Sequence, residues 1–169
     1  VCTVTGKVII IMGSERDLEF CREIANHLKV LGVDYEFRVA SAHKTPEKVL
    51  EILKEFEAEK IVYITVAGLS DSLSSVVAGY TTNPVIACPP DIEKHGFPKI
   101  FSSIMTPKSI AVALVPKPEN AALAAAKILA LSNPSLKRLV QRYREKVKEA
   151  VAKVDAELRK KEAHELERE

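Results

Sequence analysis

The chain carries little net charge, since 25 basic and 23 acidic residues among 169 leave only +2. So close a balance excludes the strongly basic face that nucleic-acid binders lay along phosphate backbones. No apolar run approaches the roughly 20 residues of a membrane-spanning helix, so no membrane partner is expected. No basic-then-apolar leader opens the sequence, so the expected location is the cytoplasm. Cysteine is scarce: Cys2, Cys21 and Cys88 are odd in number and widely spaced, with no C-x-x-C pair. That excludes a disulfide framework or zinc site and leaves free thiols suited to a reducing compartment. No internal repeat or low-complexity linker is visible.

What is present is a globular composition, 47% hydrophobic and 28% charged, with the length of a single domain. Lys7 to Met12 is a continuous β-branched run closed by Gly13, the pattern of a strand buried on both faces. Ser14, with Asp17 three residues on, resembles a capping box. It opens a helix with apolar positions Leu18, Cys21, Ile24, Leu28 and Leu31, ended by Gly32. A strand from Val33 to Val39 alternates apolar and polar residues. A helix from Pro46 to about Glu57 follows, with Val49, Leu50, Leu53 and Phe56 as its apolar stripe. Ile61 to Ala67 is a third strand, ending in the small polar turn Gly68 to Leu73 and a helix through Val76 and Val77. Val85 to Cys88 is a fourth strand, stopped by Pro89-Pro90. A short helix from Gly96 to Met105 and a fifth strand from Ile110 to Val115 complete the alternation. An Ala-rich helix from Glu119 to Leu131 ends at Asn133-Pro134.

The expected fold is therefore α/β: a central parallel sheet between two layers of helices, over residues 1–135. Residues 136–169 form a second unit, one long amphipathic helix with Leu139, Val140, Tyr143, Val147, Val151, Val154 and Leu158 on its apolar stripe. That stripe can pack on the sheet or across a subunit boundary, and a frayed tail is expected from Arg159 to Glu169. His27 and His164 carry no functional weight, and His95 reads as a surface residue.

Three strands end in small or polar turns that each open a helix, and in a parallel sheet such turns share one edge and can form one pocket. Gly13-Ser14 leads into a helix N-terminus, whose free N–H groups favour an anion such as phosphate. Ser41-Ala42-His43-Lys44 joins a strand end to Thr45-Pro46, an N-cap residue followed by proline at the first helical position. It presents a proton-exchanging side chain beside small residues and a cation, a combination suited to an anionic ligand.

These segments, taken in order, resemble the PurE family of purine biosynthesis. The matching residues are Met12-Gly13-Ser14 with Asp17-Leu18, Arg38-Val39 with Ser41-Ala42-His43-Lys44-Thr45-Pro46, and Val66-Ala67-Gly68 with Ser70 and Leu73. Asn83-Pro84-Val85-Ile86, Cys88-Pro89-Pro90 and Leu131-Ser132-Asn133 continue the set over roughly residues 7–135. The resemblance implies a flavodoxin-like sheet and one of two activities on the same ribonucleotide. A mutase moves a carboxylate from nitrogen to carbon of N5-carboxyaminoimidazole ribonucleotide. A carboxylase joins 5-aminoimidazole ribonucleotide (AIR) directly to CO2, giving 4-carboxy-AIR. Lys44, a third turn without a second histidine, and Cys88-Pro89-Pro90 resemble the carboxylase branch. A non-enzymatic flavodoxin-like nucleotide-binding module is the alternative from another class.

By motif position the resemblance makes His43 the general acid/base and places the substrate against Gly13, Ser14, Asp17, Ser41, Ala42, Lys44, Gly68, Ser70, Asp71, Ser72 and Leu73. Phosphate falls to Ser14, Ser41 and Lys44, and ribose hydroxyls or the amine to Asp17. The CO2 oxygens fall to Ser70 and the Ser72 N–H. The resemblance implies no ATP, biotin or metal, and a homo-oligomer, octamer or tetramer. Three positions depart from the family pattern: Arg16 for serine, Asp71 for asparagine and Ser72 for glycine. Asp71 is the awkward one, because an ionised carboxylate beside a carboxylate product repels it. Asp71 either caps its helix facing away or has a raised pKa.

Overall fold

A strand survives in the middle of an α/β sheet when both its faces are apolar, and the first strand illustrates how. The computed structural model describes residues 6–166, with side chains through residue 161. In it Val8, Ile10 and Met12 of β1 (Lys7–Met12) enter one core while Ile9 and Ile11 enter the other, all at 0 or 1% exposure. Each such side chain contributes roughly 1.5–3 kcal/mol by leaving water. Around β1 lie β2 (Asp34–Val39), β3 (Ile61–Val66), β4 (Val85–Ala87) and β5 (Ala113–Leu114), all parallel, in the order β2-β1-β3-β4-β5.

The helices are α1 (Leu18–Leu31), α2 (Pro46–Glu55), α3 (Ser72–Tyr80), α4 (Ile92–His95), α5 (Phe97–Ile104), α6 (Pro118–Ala130) and α7 (Pro134–Leu166). Helices α1, α6 and the start of α7 cover one face, and α2 and α3 cover the other. This is the three-layer arrangement expected from the strand–helix alternation, and the flavodoxin-like sheet that the family resemblance implies. The fully buried Ala121, Ala122, Ala125 and Ala126 give α6 a smooth face for packing. Gly32 takes φ 69° at the end of α1, the left-handed C-cap anticipated for it.

The edge strand β2 is half-buried and protected by charge. Arg38 pairs with Glu36 at 2.8 Å and with Glu55, and lies over the Phe56 ring at 5.4 Å. Charged side chains on an edge strand discourage pairing with another chain.

Two elements differ from expectation. The fifth strand is only two residues rather than Ile110 to Val115, because its neighbour β4 has three residues and offers few rungs. The helix expected from Gly96 to Met105 is preceded by a separate turn, α4, and Gly96, at φ 62°, is the break between the two. The last helix runs through Leu166, and residues 167–169, the end of the stretch expected to fray, lie outside the described residues. Only its start joins the core. Leu136 and Val140 are buried, whereas Val147, Val151, Val154 and Leu158 are between 48 and 67% exposed. A helix of 33 residues is about 50 Å long, so it outruns the sheet it packs on.

Candidate active site

Helix α1 leaves β1 toward one face of the sheet and α3 leaves the adjacent β3 toward the other. The divergence opens a crevice at the carboxyl ends of β1 and β3, the usual ligand position in such sheets. Three turns border it.

The first turn starts at Gly13, whose N–H donates to Val66 O at 2.9 Å and so ties β1 to β3 at the crevice floor. Ser14 is extended (φ −154°) and its Oγ accepts the Arg16 N–H at 3.3 Å. A single 3-10 turn, Glu15–Asp17, precedes α1. The sequence-predicted cap is therefore present, but it caps this tighter turn rather than α1 itself. Arg16 is exposed. Asp17 is 9% exposed, and an added Cβ on Gly68 would stand 3.3 Å from its Oδ1, so the first and third turns touch here. Burial raises the Asp17 carboxyl above its ordinary value, while the Ser14 backbone and the Lys99 ammonium work against that rise.

The second turn closes on itself. Ser41 N–H donates to Thr45 Oγ1 at 3.0 Å, Thr45 Oγ1 donates to Ser41 O at 3.3 Å, and Lys44 N–H donates to Ser41 Oγ at 3.3 Å. Thr45 sits at the N-cap position with Pro46 after it, as expected, yet its hydroxyl does not cap α2. The otherwise unpaired Ser41 N–H claims it. Ala42 packs against the α2–α3 core, and His43 and Lys44 are exposed.

The third turn runs from Ala67 to Ser72. Ser72 Oγ lies 3.0 Å from His43 Nε2, which joins the second and third turns. A serine hydroxyl both donates and accepts, so it keeps this contact whether or not Nε2 carries a proton. Ser70 and Leu69 are exposed and line a groove of about 340 Å³ with His95, Pro98, Lys99 and Ser102.

Two residues proposed to touch substrate face elsewhere. Asp71, 3% exposed, caps α3: its Oδ1 accepts from Ser74 N–H at 3.0 Å and its Oδ2 from Ser103 Oγ at 2.6 Å. Of the two alternatives open for Asp71, the helix cap is the one present, and the awkward charge is turned into the protein. Leu73, 2% exposed, lies in the core with Ile9, Ala40 and Val77. Its side chain serves packing, because position 73 falls on the inward face of α3.

Lys99, Ser102 and Ser103 escaped sequence reasoning. They stand at i, i+3 and i+4 on α5 and so share a face. Lys99 Nζ donates to Ala67 O and to Leu69 O, the latter at 2.6 Å, and Ser102 Oγ accepts the Asp71 N–H at 2.6 Å. The available signal was a polar stripe in a short helix otherwise made of Phe97, Pro98, Ile100, Phe101 and Ile104. Cys21 and Cys88 are buried with thiols pushed above their ordinary values by desolvation, Cys21 to about 12, and take no part in the crevice. Among the described residues no cluster of His, Cys, Asp or Glu could hold a metal ion.

The AIR carboxylase family model matches residues 7–150. A phosphoribosylaminoimidazole carboxylase from Archaeoglobus fulgidus is 50% identical over 153 residues, covering 90% of this chain and 85% of that protein. An N5-carboxyaminoimidazole ribonucleotide mutase from Methanocaldococcus jannaschii is 45% identical over 154 residues, covering 90% and 97%. The crystal structure of Treponema denticola PurE superposes with a TM-score of 0.87 at 41% identity, covering 90% of this chain and 98% of that one.

Proposed function

We infer that this chain, which belongs to the AIR carboxylase family, joins AIR to CO2 to give 4-carboxy-AIR in purine biosynthesis. The observation that carries the reading is the 3.0 Å contact between His43 Nε2 and Ser72 Oγ. It puts an exposed proton-transfer group beside the start of α3, where the Ser72 and Leu73 N–H groups find no acceptor among the described residues.

The exocyclic amine of AIR makes the adjacent ring carbon nucleophilic. That carbon attacks CO2, a carbon–carbon bond forms, and the electron pair of one C=O bond moves onto oxygen as carboxylate. The ring carbon then holds both hydrogen and carboxylate, and loss of the hydrogen as a proton restores aromaticity. His43 takes that proton, and returns it in the reverse direction. The developing carboxylate is held by N–H donors of the third turn and by Ser70 and Ser72. Phosphate occupies the Ser14 turn, with Ser41 and the exposed Lys44 closing over it. Asp17 faces the ribose hydroxyls. No step requires ATP, biotin or a metal ion, since the nucleophile is already activated by its own amine.

The proposed assembly is a homo-oligomer, an octamer or tetramer, which would cover the exposed stripe Val147, Val151, Val154 and Leu158. The only expected ligand is the small ribonucleotide; no described helix is long and apolar enough to cross a membrane. The proposed location is the cytoplasm, where thiols such as Cys21 and Cys88 stay reduced.

The mutase activity is the second reading, favoured by the name of the Methanocaldococcus jannaschii relative. Two mixtures separate the readings: AIR with bicarbonate, and the N5-carboxylated nucleotide with CO2 scavenged, each followed by product absorbance. Product from the first alone is expected. Product from the second alone makes the protein a mutase, and silence in both removes the activity.

A further inference from the structure

Helix α5 grips the third turn at four atoms: Lys99 holds Ala67 O and Leu69 O, Ser102 holds Asp71 N, and Ser103 holds Asp71 Oδ2. Lys99 is 3% exposed, and desolvation lowers its pKa while the carboxylates of Asp71, Asp17 and Asp91 oppose that fall. Taking an amine out of water is costly, and an apolar residue there would avoid the cost. What the amine supplies is direction. A trans peptide unit is planar, with its C=O and N–H pointing opposite ways. Drawing the Ala67 and Leu69 carbonyls toward Lys99 therefore turns the Gly68 and Ser70 N–H groups away from it. Neither of these N–H groups donates to any acceptor among the described residues. Gly68 borders Asp17 on one side, and Ser70 lies two residues before the serine that meets His43. Either protonation state of the amine keeps enough N–H bonds for two carbonyls.

We propose that Lys99 is a positioning residue, which through the Ala67 and Leu69 carbonyls aims the Gly68 and Ser70 N–H groups at the carboxyl group being added. The proposal rests on the reading of this crevice as the carboxylation site. The ribonucleotide is held by the other two turns of the crevice, at Ser14 and Ser41, so Lys99 should govern the carboxyl donor and not the ribonucleotide.

Lys99→Met keeps the length of the side chain and removes its donors, leaving the two peptide units free to rotate. In the carboxylation assay, kcat should fall about 100-fold, as for a misplaced oxyanion donor. The KM for the carboxyl donor should rise about tenfold and the KM for the ribonucleotide should stay within about threefold, because only one of the two sites is disturbed. Lys99→Arg, which keeps N–H donors, should recover a substantial part of kcat. Wild-type kcat in folded Lys99→Met, or equal rises in both KM values, overturns the proposal. If Lys99→Met does not fold, Ser102→Ala releases one strand of the same grip. It should show the same split at about fivefold in kcat, in the range of a single lost neutral hydrogen bond, and an unchanged kcat there also overturns it. Wild-type protein inert with either carboxyl donor would instead fail the carboxylation reading, so the two failures are distinct.

Discussion

The second and third turns meet at one hydrogen bond but are built in opposite ways. Ser41 to Thr45 holds itself, with every bond spanning three or four residues. Ala67 to Ser72 is held by α5, whose side chains reach it across 30 to 32 residues of sequence. The self-held turn presents the exposed His43. The remotely held turn presents backbone donors and two serines, Ser70 and Ser72, and its own charged residue, Asp71, is turned inward. A catalytic side chain needs only a stable local turn, whereas aimed peptide groups need an outside partner to set their rotation.

The largest effect expected is at the bond between the turns. His43→Asn should keep the fold and the oligomer, since His43 is exposed, and lower turnover by about 10³-fold in the product assay. Turnover near wild type would dissolve the functional pairing of the turns and remove His43 from the chemical step.

Next, Asp71→Ala removes the cap of α3 and leaves Ser103 and Ser74 without their acceptor. A loss of about 2–4 kcal/mol in chemical denaturation is expected, combining a lost cap with buried unpaired groups. Thr45→Val, the matching change in the self-held turn, should cost only about 1 kcal/mol, because its bonds are local and partly exposed. The two losses should add in the double variant, having no shared partner. Strong non-additivity would show that the turns are one cooperative unit.

The smallest effect is a pH-dependent one at Asp17. Its folded carboxyl is raised above the ordinary 3.8 by burial, so the folded state binds its proton more tightly than the unfolded state. Stability then falls as pH rises through the window from 3.8 to the raised value, and the deficit persists above it. Asp17→Asn should therefore be more stable at neutral pH, read as a higher melting temperature. The advantage should vanish below the unfolded carboxyl range. Weaker ribonucleotide binding should accompany it. An advantage that grows on acidification would contradict the sign of the shift.

Strand and helix order, the sheet's two buried faces, and the convergence of three turns were legible because they depend on residue periodicity and on local punctuation. Met12-Gly13-Ser14 and Ser41 to Pro46 announced themselves in that way. Gly96 inside an expected helix was a legible break that the apolar pattern on both sides obscured. Thr45 was read as a cap, and occupies the cap position, but a neighbour's N–H outbid the helix for its hydroxyl. Leu73 and Asp71 matched a motif, yet side-chain direction at a helix start depends on the angle at which α3 meets the sheet. Lys99 was invisible, since its partners are two carbonyls, which every residue possesses and no residue letter marks.

By itself, then, the sequence determined that a parallel α/β sheet would form and that His43 would sit on a short turn at its carboxyl edge, because those follow from burial periodicity and short-range hydrogen bonds. Only the tertiary structure decided that Asp71 faces inward, that Ser72 meets His43, and that α5 side chains hold the third turn. Those depend on distances between segments about 30 residues apart, which the packing of helices on the sheet sets.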